Sequence, residues 1–192
     1  MERFVLNQSQ IDLRIMKSKK QNREKGEQEE DEMNSELHEL FLDELADLLN
    51  AETQLTKALP KMVKAAQSEE LSDAINSHLN ETEGHVERLK QVFDLLAEKP
   101  KSKTCQAMKG LLEEGSELLQ ELKGKCTIDA GIIAAGQKVE HYEIASYGTV
   151  RAWAQQMGYD EAVDLLGETL DEEKAADEKL TEIAEKSVNA KT

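Results

Sequence analysis

Acidic side chains that could bind metal ions or move protons lie at helical spacing in residues 137–147. Glu140 and Glu143 are three residues apart, and residues three or four apart share one face of an α-helix. On a single surface helix, such a pair usually belongs to the solvated face. The pair indicates chemistry only where other helices bring acids or histidines to the same height.

Other amphipathic stretches interrupt their apolar stripe with polar residues of the same kinds. Alternating steps of three and four residues mark the side of a helix that packs inside a bundle. On that side, Glu52 and Glu173 each occupy a position where the pattern calls for an apolar residue. In the amphipathic stretch at residues 69–97, the inward apolar stripe is interrupted by His78, Glu81 and His85. These polar groups are therefore predicted to face the core.

The periodicity predicts four long helices and one short helix. They cover residues 35–67, 69–97, 103–122, 128–157 and 161–188. Short turns make the first two helices antiparallel and the last two antiparallel, while the crossover that holds the short helix lets the second and third long helices run parallel. The predicted fold is all-α, a ferritin-like four-helix bundle with one long crossover carrying a short extra helix.

The inward polar residues are predicted to meet near mid-height of this bundle. At 1.5 Å of rise per residue, each lies roughly 20–28 Å from the turn that ends its hairpin. They are Glu52, Glu81, His85, Glu140, Glu143 and Glu173. Burying an ionised carboxylate costs several kcal/mol unless it is compensated. Protonation could neutralise the layer, but two divalent metal ions would balance four carboxylates, and oxygen with imidazole nitrogen suits iron or manganese.

Composition restricts the classes of function. The 192-residue chain carries a formal charge of −16, which argues against binding to nucleic acid or to an anionic membrane. Its apolar runs are shorter than the roughly 20 residues of a membrane span, and its first residues lack the apolar core of a signal peptide, so we predict a cytoplasmic protein. Cys105 and Cys126 are too few for a disulfide framework and are predicted to be reduced.

The first 33 residues differ in composition from the rest. A basic run at 14–25 precedes an acidic run at 27–32, and apolar residues are sparse. This composition predicts a disordered charged tail over residues 1–33 and a bundle domain over residues 34–192.

Five ordered segments carry a family resemblance. They read NAETQLTKALPK at 50–61, HLNET at 78–82, CQAMKGL at 105–111, KVEHYEIA at 138–145 and ETLDEEKA at 168–175. Together they resemble the YciE/YciF-type ferritin-like family of bacterial stress-associated proteins. The resemblance implies a rubrerythrin-like or ferritin-like bundle that forms a homodimer and holds two iron ions, and it implies no particular reaction.

The resemblance also suggests metal ligands. They are Glu52, His78, Glu81, His85, Glu140, Glu143 and Glu173. We expect Glu52 and Glu173 to be terminal or bridging ligands, Glu81 and Glu140 to bridge, and Glu143 to complete the set with one of the two histidines. The commonest ferritin-like site has Glu on two helices and Glu-x-x-His on the other two, so one histidine is missing here and one carboxylate is extra. The extra carboxylate makes manganese an alternative to iron.

Three functions remain open from the sequence. The first is a stress-associated di-iron protein that oxidises Fe(II) or consumes peroxide or oxygen. The second is a manganese catalase-like enzyme. The third is a non-catalytic helical dimer with a structural or partner-binding role in stress, in which the buried acids are protonated.

Overall fold

The computed structural model describes residues 8–189, with side chains from residue 33 onward. Its helices are α1 (Gln8–Ala65), α2 (Glu69–Leu95), α3 (Gln106–Glu121), α4 (Ile128–Gln156) and α5 (Asp160–Ile183), followed by a π-helical turn at Ala184–Val188. No β-strand occurs among the described residues, so the predicted all-α class is confirmed. Within the same residues, none of the helices is long and apolar enough to cross a membrane.

Helix α1 begins at Gln8, inside the stretch that was predicted to be a disordered tail. Residues 8–32 are described as helical backbone, and they are rich in Lys, Arg, Glu and Gln, which have high intrinsic helix propensity. Residues 1–7 lie outside the described part of the chain. Residues Phe41–Thr192 form one compact unit. The division into a tail and a bundle domain at residue 33 stays a prediction.

The buried apolar residues of this compact unit form two separate clusters. Core cluster 1 includes Ala51, Leu55, Leu59, Leu71, Ile75, Met108, Ile132, Val139, Leu180 and Ile183. Core cluster 2 includes Phe41, Leu45, Leu48, Leu89, Val92, Phe93, Tyr147, Val150, Ala162, Leu166 and Leu170. Burial of these side chains removes apolar surface from water and is the main favourable contribution to folding.

The order of the clusters along each helix gives the chain direction. Helices α1 and α5 run from core cluster 2 to core cluster 1, whereas α2 and α4 run from core cluster 1 to core cluster 2. Therefore α1 is antiparallel to α2, α4 is antiparallel to α5, and α2 runs parallel to α4. Helix α3 packs on core cluster 1 through the buried Met108. This is the predicted connectivity, with α3 in the crossover.

Side-chain hydrogen bonds hold the α1–α2 turn against the start of α4. The carboxylate of Asp129 accepts hydrogen bonds from the backbone N–H groups of Gln67, at 2.7 Å, and Ser68, at 2.9 Å. The Ser68 hydroxyl in turn caps α2 by accepting from the N–H of Leu71. At the other hairpin, Gly158 has a φ of 74°, the left-handed conformation that ends α4 at the predicted glycine.

We expect Asp129→Ala to destabilise the protein by about 2–4 kcal/mol. The change removes two charge-assisted hydrogen bonds and leaves two N–H groups at the turn without their partner. Asp129→Asn keeps one acceptor oxygen and should lose about half as much. Urea unfolding measures the loss. Asp171→Ala is the control, because Asp171 is exposed and pairs only with its helix neighbour Lys174, so it should change stability by less than about 0.5 kcal/mol.

Candidate metal centre

A layer of buried polar side chains separates the two apolar clusters. Along α1, Glu52 lies between Leu48 of core cluster 2 and Leu55 of core cluster 1, and along α5, Glu173 lies between Leu170 and Leu180 in the same way. The members of the layer are Glu52, His78, His85, Glu140, Glu143 and Glu173, each exposed by 6% or less. Five of the six residues predicted to meet near mid-height lie in this layer: Glu52, His85, Glu140, Glu143 and Glu173.

One group in this layer consists of Glu52, His85 and Glu173. His85 Nδ1 lies 2.9 Å from Glu173 Oε1 and 3.5 Å from Glu52 Oε1. All three side chains are fully buried. Their donor atoms lie within 4.8 Å of one another, which is close enough for one metal ion to contact all three.

The second group consists of His78, Glu140, Glu143 and Glu173, with donor atoms again within 4.8 Å of one another. His78 Nε2 lies 3.5 Å from Glu140 Oε1 and 3.8 Å from Glu173 Oε2. Glu173 belongs to both groups, and its two oxygens approach different histidines: Oε1 approaches His85, and Oε2 approaches His78. This is the orientation of a carboxylate that could bridge two ions.

Most donor atoms of the layer lack a hydrogen-bond partner. They are Glu52 Oε2, both ring nitrogens of His78, His85 Nδ1, Glu140 Oε2 and both oxygens of Glu143 and Glu173. Among the described residues, the only further buried side-chain atom without a hydrogen bond is Asp177 Oδ1, which instead lies 3.3 Å from the ring of His141. Buried polar groups in folded proteins are nearly always satisfied, so this concentration in one layer indicates that the layer could hold metal ions.

Glu81, which was expected to bridge the metals, lies outside both groups. Its side chain is 41% exposed and its Oε2 is 3.5 Å from Nδ1 of His78. Glu173 is the residue shared by both groups. It therefore lies in the bridging position that was expected for Glu81 and Glu140. The role of Glu81 as a ligand stays a prediction.

Outside the layer, two hydrogen-bonded partners orient its members. The hydroxyl of the buried Tyr147 donates to Glu52 Oε1 at 2.5 Å. In the same donor group, His85 Nε2 is 2.9 Å from Glu172 Oε2, and Arg88 holds both Glu172 oxygens at 2.6 and 2.8 Å. A carboxylate on the far nitrogen of a histidine fixes its tautomer and ring orientation, leaving Nδ1 free to bind.

The sequence analysis did not identify Arg88 and Glu172 as members of the site. The signal was present, because Arg88 lies three residues after His85 on the same helix face and Glu172 adjoins Glu173. Neither residue belongs to the inward stripe that periodicity predicted for its helix. The contact between α2 and α5 decides that they meet.

Burial and mutual repulsion change the pKa values of the layer. Burial, together with the nearby Glu173, raises the pKa of Glu140 and Glu143 well above the usual value. Burial lowers the pKa of His85, but the carboxylates of Glu173 and Glu52 outweigh it and raise that pKa to about 10. For Glu173 the result is opposite. Burial raises the pKa of Glu173, but His85 lowers it by more, so the net shift is downward. Without metal, protons must therefore compensate much of the negative charge in this layer.

Comparison with known families identifies the chain. A family model described as Domain of unknown function (DUF892) matches residues 36–192. The chain belongs to the DUF892 family. Protein YciF of Escherichia coli strain K12 is 48% identical to this DUF892 protein over 156 residues, which cover 81% of this chain and 94% of YciF. The resemblance deduced from the five sequence segments is therefore confirmed.

Solved structures agree with the DUF892 assignment. The crystal structure of the E. coli stress protein YciF matches with a TM-score of 0.77 at 48% identity, covering 80% of this chain and 97% of YciF. YcfI from Rhodopseudomonas palustris matches with a TM-score of 0.73 at 48% identity, covering 76% of this chain and 92% of YcfI. A protein from Xanthomonas campestris pv. campestris, at 22% identity and a TM-score of 0.63, covers 81% of this chain and 94% of its own and shares the fold.

We expect the metal-free protein to lose stability as the pH rises. Glu140 and Glu143 have raised pKa values in the folded state, so their contribution is complete below the ordinary value of 4.5 and is lost as the pH passes the raised values. His85 acts in the same direction, since its contribution is complete below 6.5 and is lost as the pH rises through about 10. Thermal unfolding in chelator, from about pH 5 to about pH 9, measures the trend.

The double variant Glu140→Gln/Glu143→Gln distinguishes the contribution of these two buried carboxyls to the pH dependence of stability from that of the surface acids. It cannot ionise at either position, so its melting temperature should fall less steeply with pH than that of the wild type. Equal slopes in the two proteins would contradict the raised pKa values.

Proposed function

We propose that this DUF892 protein holds two iron ions in the polar layer and oxidises Fe(II) at the expense of peroxide or oxygen. The observation that carries the proposal is Glu173, whose two oxygens approach the histidines of two groups of buried donors, most of whose atoms make no hydrogen bond. The name of the E. coli relative, a stress protein, agrees with a role in oxidative or related stress.

Charge supports the assignment of two divalent ions. The layer contains four buried carboxylates, those of Glu52, Glu140, Glu143 and Glu173. Two divalent ions would neutralise four negative charges without any change in the helices. The mixture of carboxylate oxygen and imidazole nitrogen suits iron or manganese better than calcium or magnesium, which prefer oxygen alone.

The two donor groups support a division of the proposed ligands between the two ions. Glu52 and His85 would hold one ion; His78, Glu140 and Glu143 would hold the other; Glu173 would bridge them. Two Fe(II) ions bound together can supply the two electrons that reduce one peroxide molecule. The protein's own part is to fix the ligands: Tyr147 holds Glu52, and Glu172 holds the ring of His85.

The remaining expectations are part of the same proposal. The protein is proposed to act in the cytoplasm as a homodimer, and manganese is the alternative metal. A manganese catalase-like activity would show as oxygen evolution from peroxide after loading with manganese. The non-catalytic alternative would show as a melting temperature that does not respond to metal, because a ligand that binds the folded state must stabilise it.

Elemental analysis and Fe(II) oxidation test the proposal. Protein purified without chelator should contain about two iron ions per chain, and anaerobically loaded protein should oxidise its Fe(II) when peroxide is added. Glu52→Ala/Glu173→Ala should lose both the metal and the oxidation. Glu83→Ala/Glu178→Ala is the control, since both of these acids are exposed on the same bundle. Unchanged metal content in the first variant would contradict the proposed centre.

Glu172→Gln should weaken iron binding by about 10–100-fold while leaving the fold intact. The change weakens the carboxylate contact that orients His85, and such outer partners typically affect metal affinity by that factor. Glu168→Gln is the matched control, because Glu168 also pairs with Arg88 but is 60% exposed and is not the residue on His85. Competition with a coloured chelator measures both affinities. Equal affinities for the two variants would exclude the positioning role of Glu172.

A further inference from the structure

A cavity of about 410 Å³ leads from the surface to the second donor group. Its walls come from α1, α2, α4 and α5, and two of its lining residues, His78 and Glu140, belong to the polar layer. Its lining also includes the exposed residues Glu70 and Asp73, near the start of α2, and Lys179, near the end of α5. The cavity therefore connects the solvent with one side of the candidate centre.

Small residues create this space. Ala74 on α2, Gly136 on α4 and Ala176 on α5 line the cavity where larger side chains would fill it. At Gly136, an added Cβ would lie 3.0 Å from Leu180 Cδ1, tighter than an ordinary contact. The remaining walls include the aliphatic side chains of Leu59 and Ile132. The interior is thus shaped for an apolar body.

The inner end of the cavity carries a buried histidine, whose Nδ1 lies 3.5 Å from Glu81 Oε2 and whose Nε2 lies 3.5 Å from Glu140 Oε1. His78 is 6% exposed, and neither of its ring nitrogens makes a hydrogen bond. Glu140, beside it, has one unpartnered oxygen. A molecule in the cavity would therefore place its inner end against the donors of the second group.

The cavity is larger than oxygen or hydrogen peroxide requires. A water-sized molecule takes roughly 30 Å³, whereas pockets for organic ligands measure roughly 300–1,000 Å³. A volume of about 410 Å³ falls in the second range. The space beside the polar end can therefore hold the organic part of a substrate.

Charge at the entrance restricts this substrate. Glu70 and Asp73 line the cavity at its exposed end, and Glu81 lines it beside His78. The one lysine in the lining, Lys179, lies 3.3 Å from both Glu70 and Glu182. Lys179 is therefore already compensated by two acids. The entrance repels anions, so a neutral molecule enters more favourably than a carboxylate of the same shape.

We propose that this cavity binds a neutral organic hydroperoxide, with its apolar body between Ala74 and Ala176 and its peroxide end toward His78 and Glu140. The inference rests on the proposed function, because the electrons come from two Fe(II) ions. Reduction breaks the O–O bond, consumes two electrons and two protons, and yields one alcohol and one water, leaving two Fe(III) ions. Hydrogen peroxide would use only a small part of the space.

Binding to the metal-free protein tests the cavity without any turnover. The probe is 2-phenyl-2-propanol, the alcohol formed from cumene hydroperoxide, and ligand-observed NMR measures its affinity. Ala176→Phe should weaken binding at least about tenfold by filling the space. Ala58→Phe is the matched control, since the half-buried Ala58 lines a different cavity of about 300 Å³ between α1, α3 and α4. The carboxylate counterpart, 2-methyl-2-phenylpropanoate, should bind wild-type protein about tenfold more weakly than the alcohol.

The iron-loaded protein then tests the substrate class. The ratio of Fe(II) oxidation rates with cumene hydroperoxide and hydrogen peroxide should fall about tenfold in Ala176→Phe and stay unchanged in Ala58→Phe. Ala74→Leu fills the cavity from the opposite wall and gives the same result if Ala176→Phe fails to fold. Equal ratios in wild type and in the filled variants, or absent alcohol binding by the wild type, overturn the inference. If the protein binds the alcohol but takes up no iron, the proposed function is overturned instead. A hydroperoxide is then also excluded as the occupant of the cavity.

Discussion

Four carboxylates buried in one layer of a helical bundle must be neutralised, and the rest of the structure is arranged around that requirement. An ionised carboxylate moved out of water costs several kcal/mol, and a typical domain is stable by only about 5–15 kcal/mol. His85, whose pKa is raised by the carboxylates of Glu173 and Glu52, compensates only part of this charge. Protons do so in the metal-free protein, as the raised pKa values of Glu140 and Glu143 indicate. Two divalent ions would compensate all four.

The polar layer also determines how the bundle is stabilised. Because it divides the apolar core into two clusters, each cluster has to hold its own end of the helices together. The end with core cluster 1 gains a further helix, α3, and the hydrogen bonds of Asp129 to the α1–α2 turn. The two apolar clusters therefore stabilise the bundle, and the polar layer between them is available for a functional site. This division is common where a functional site conflicts with packing.

The two sides of the layer have different surroundings. Glu52 is covered by Tyr147, a fully buried residue of core cluster 2, so the first donor group is enclosed. His78 and Glu140 instead face a cavity with an acidic entrance. Among the members of the layer, only His78 and Glu140 of the second donor group line this cavity. The accessible side is where a small molecule and the donors can meet.

The sequence by itself determined the helices, their order and the residues that interrupt their apolar faces. Periods of three and four residues predicted the bounds of α2 to α5 within about five residues, whereas α1 begins at Gln8 and not at residue 35. They also placed Glu52 and Glu173 inside the bundle, because a helix repeats at a fixed angle. Residues 8–32 show where composition was insufficient: the same charged residues favour solvent and also favour helix.

Which polar residues share a site depends on how the helices pack against one another. Glu81 lies on the same helix as His78 and His85, yet it is partly exposed, while Glu173 meets both histidines and Glu172 meets Arg88. These pairings depend on how far each helix is rotated about its axis and which rotamers its neighbours allow. Periodicity gives the direction of a side chain around the helix axis only to about a quarter turn, because consecutive residues are rotated by about 100° about that axis. Contacts of about 3 Å between helices need finer positioning, which only packing supplies.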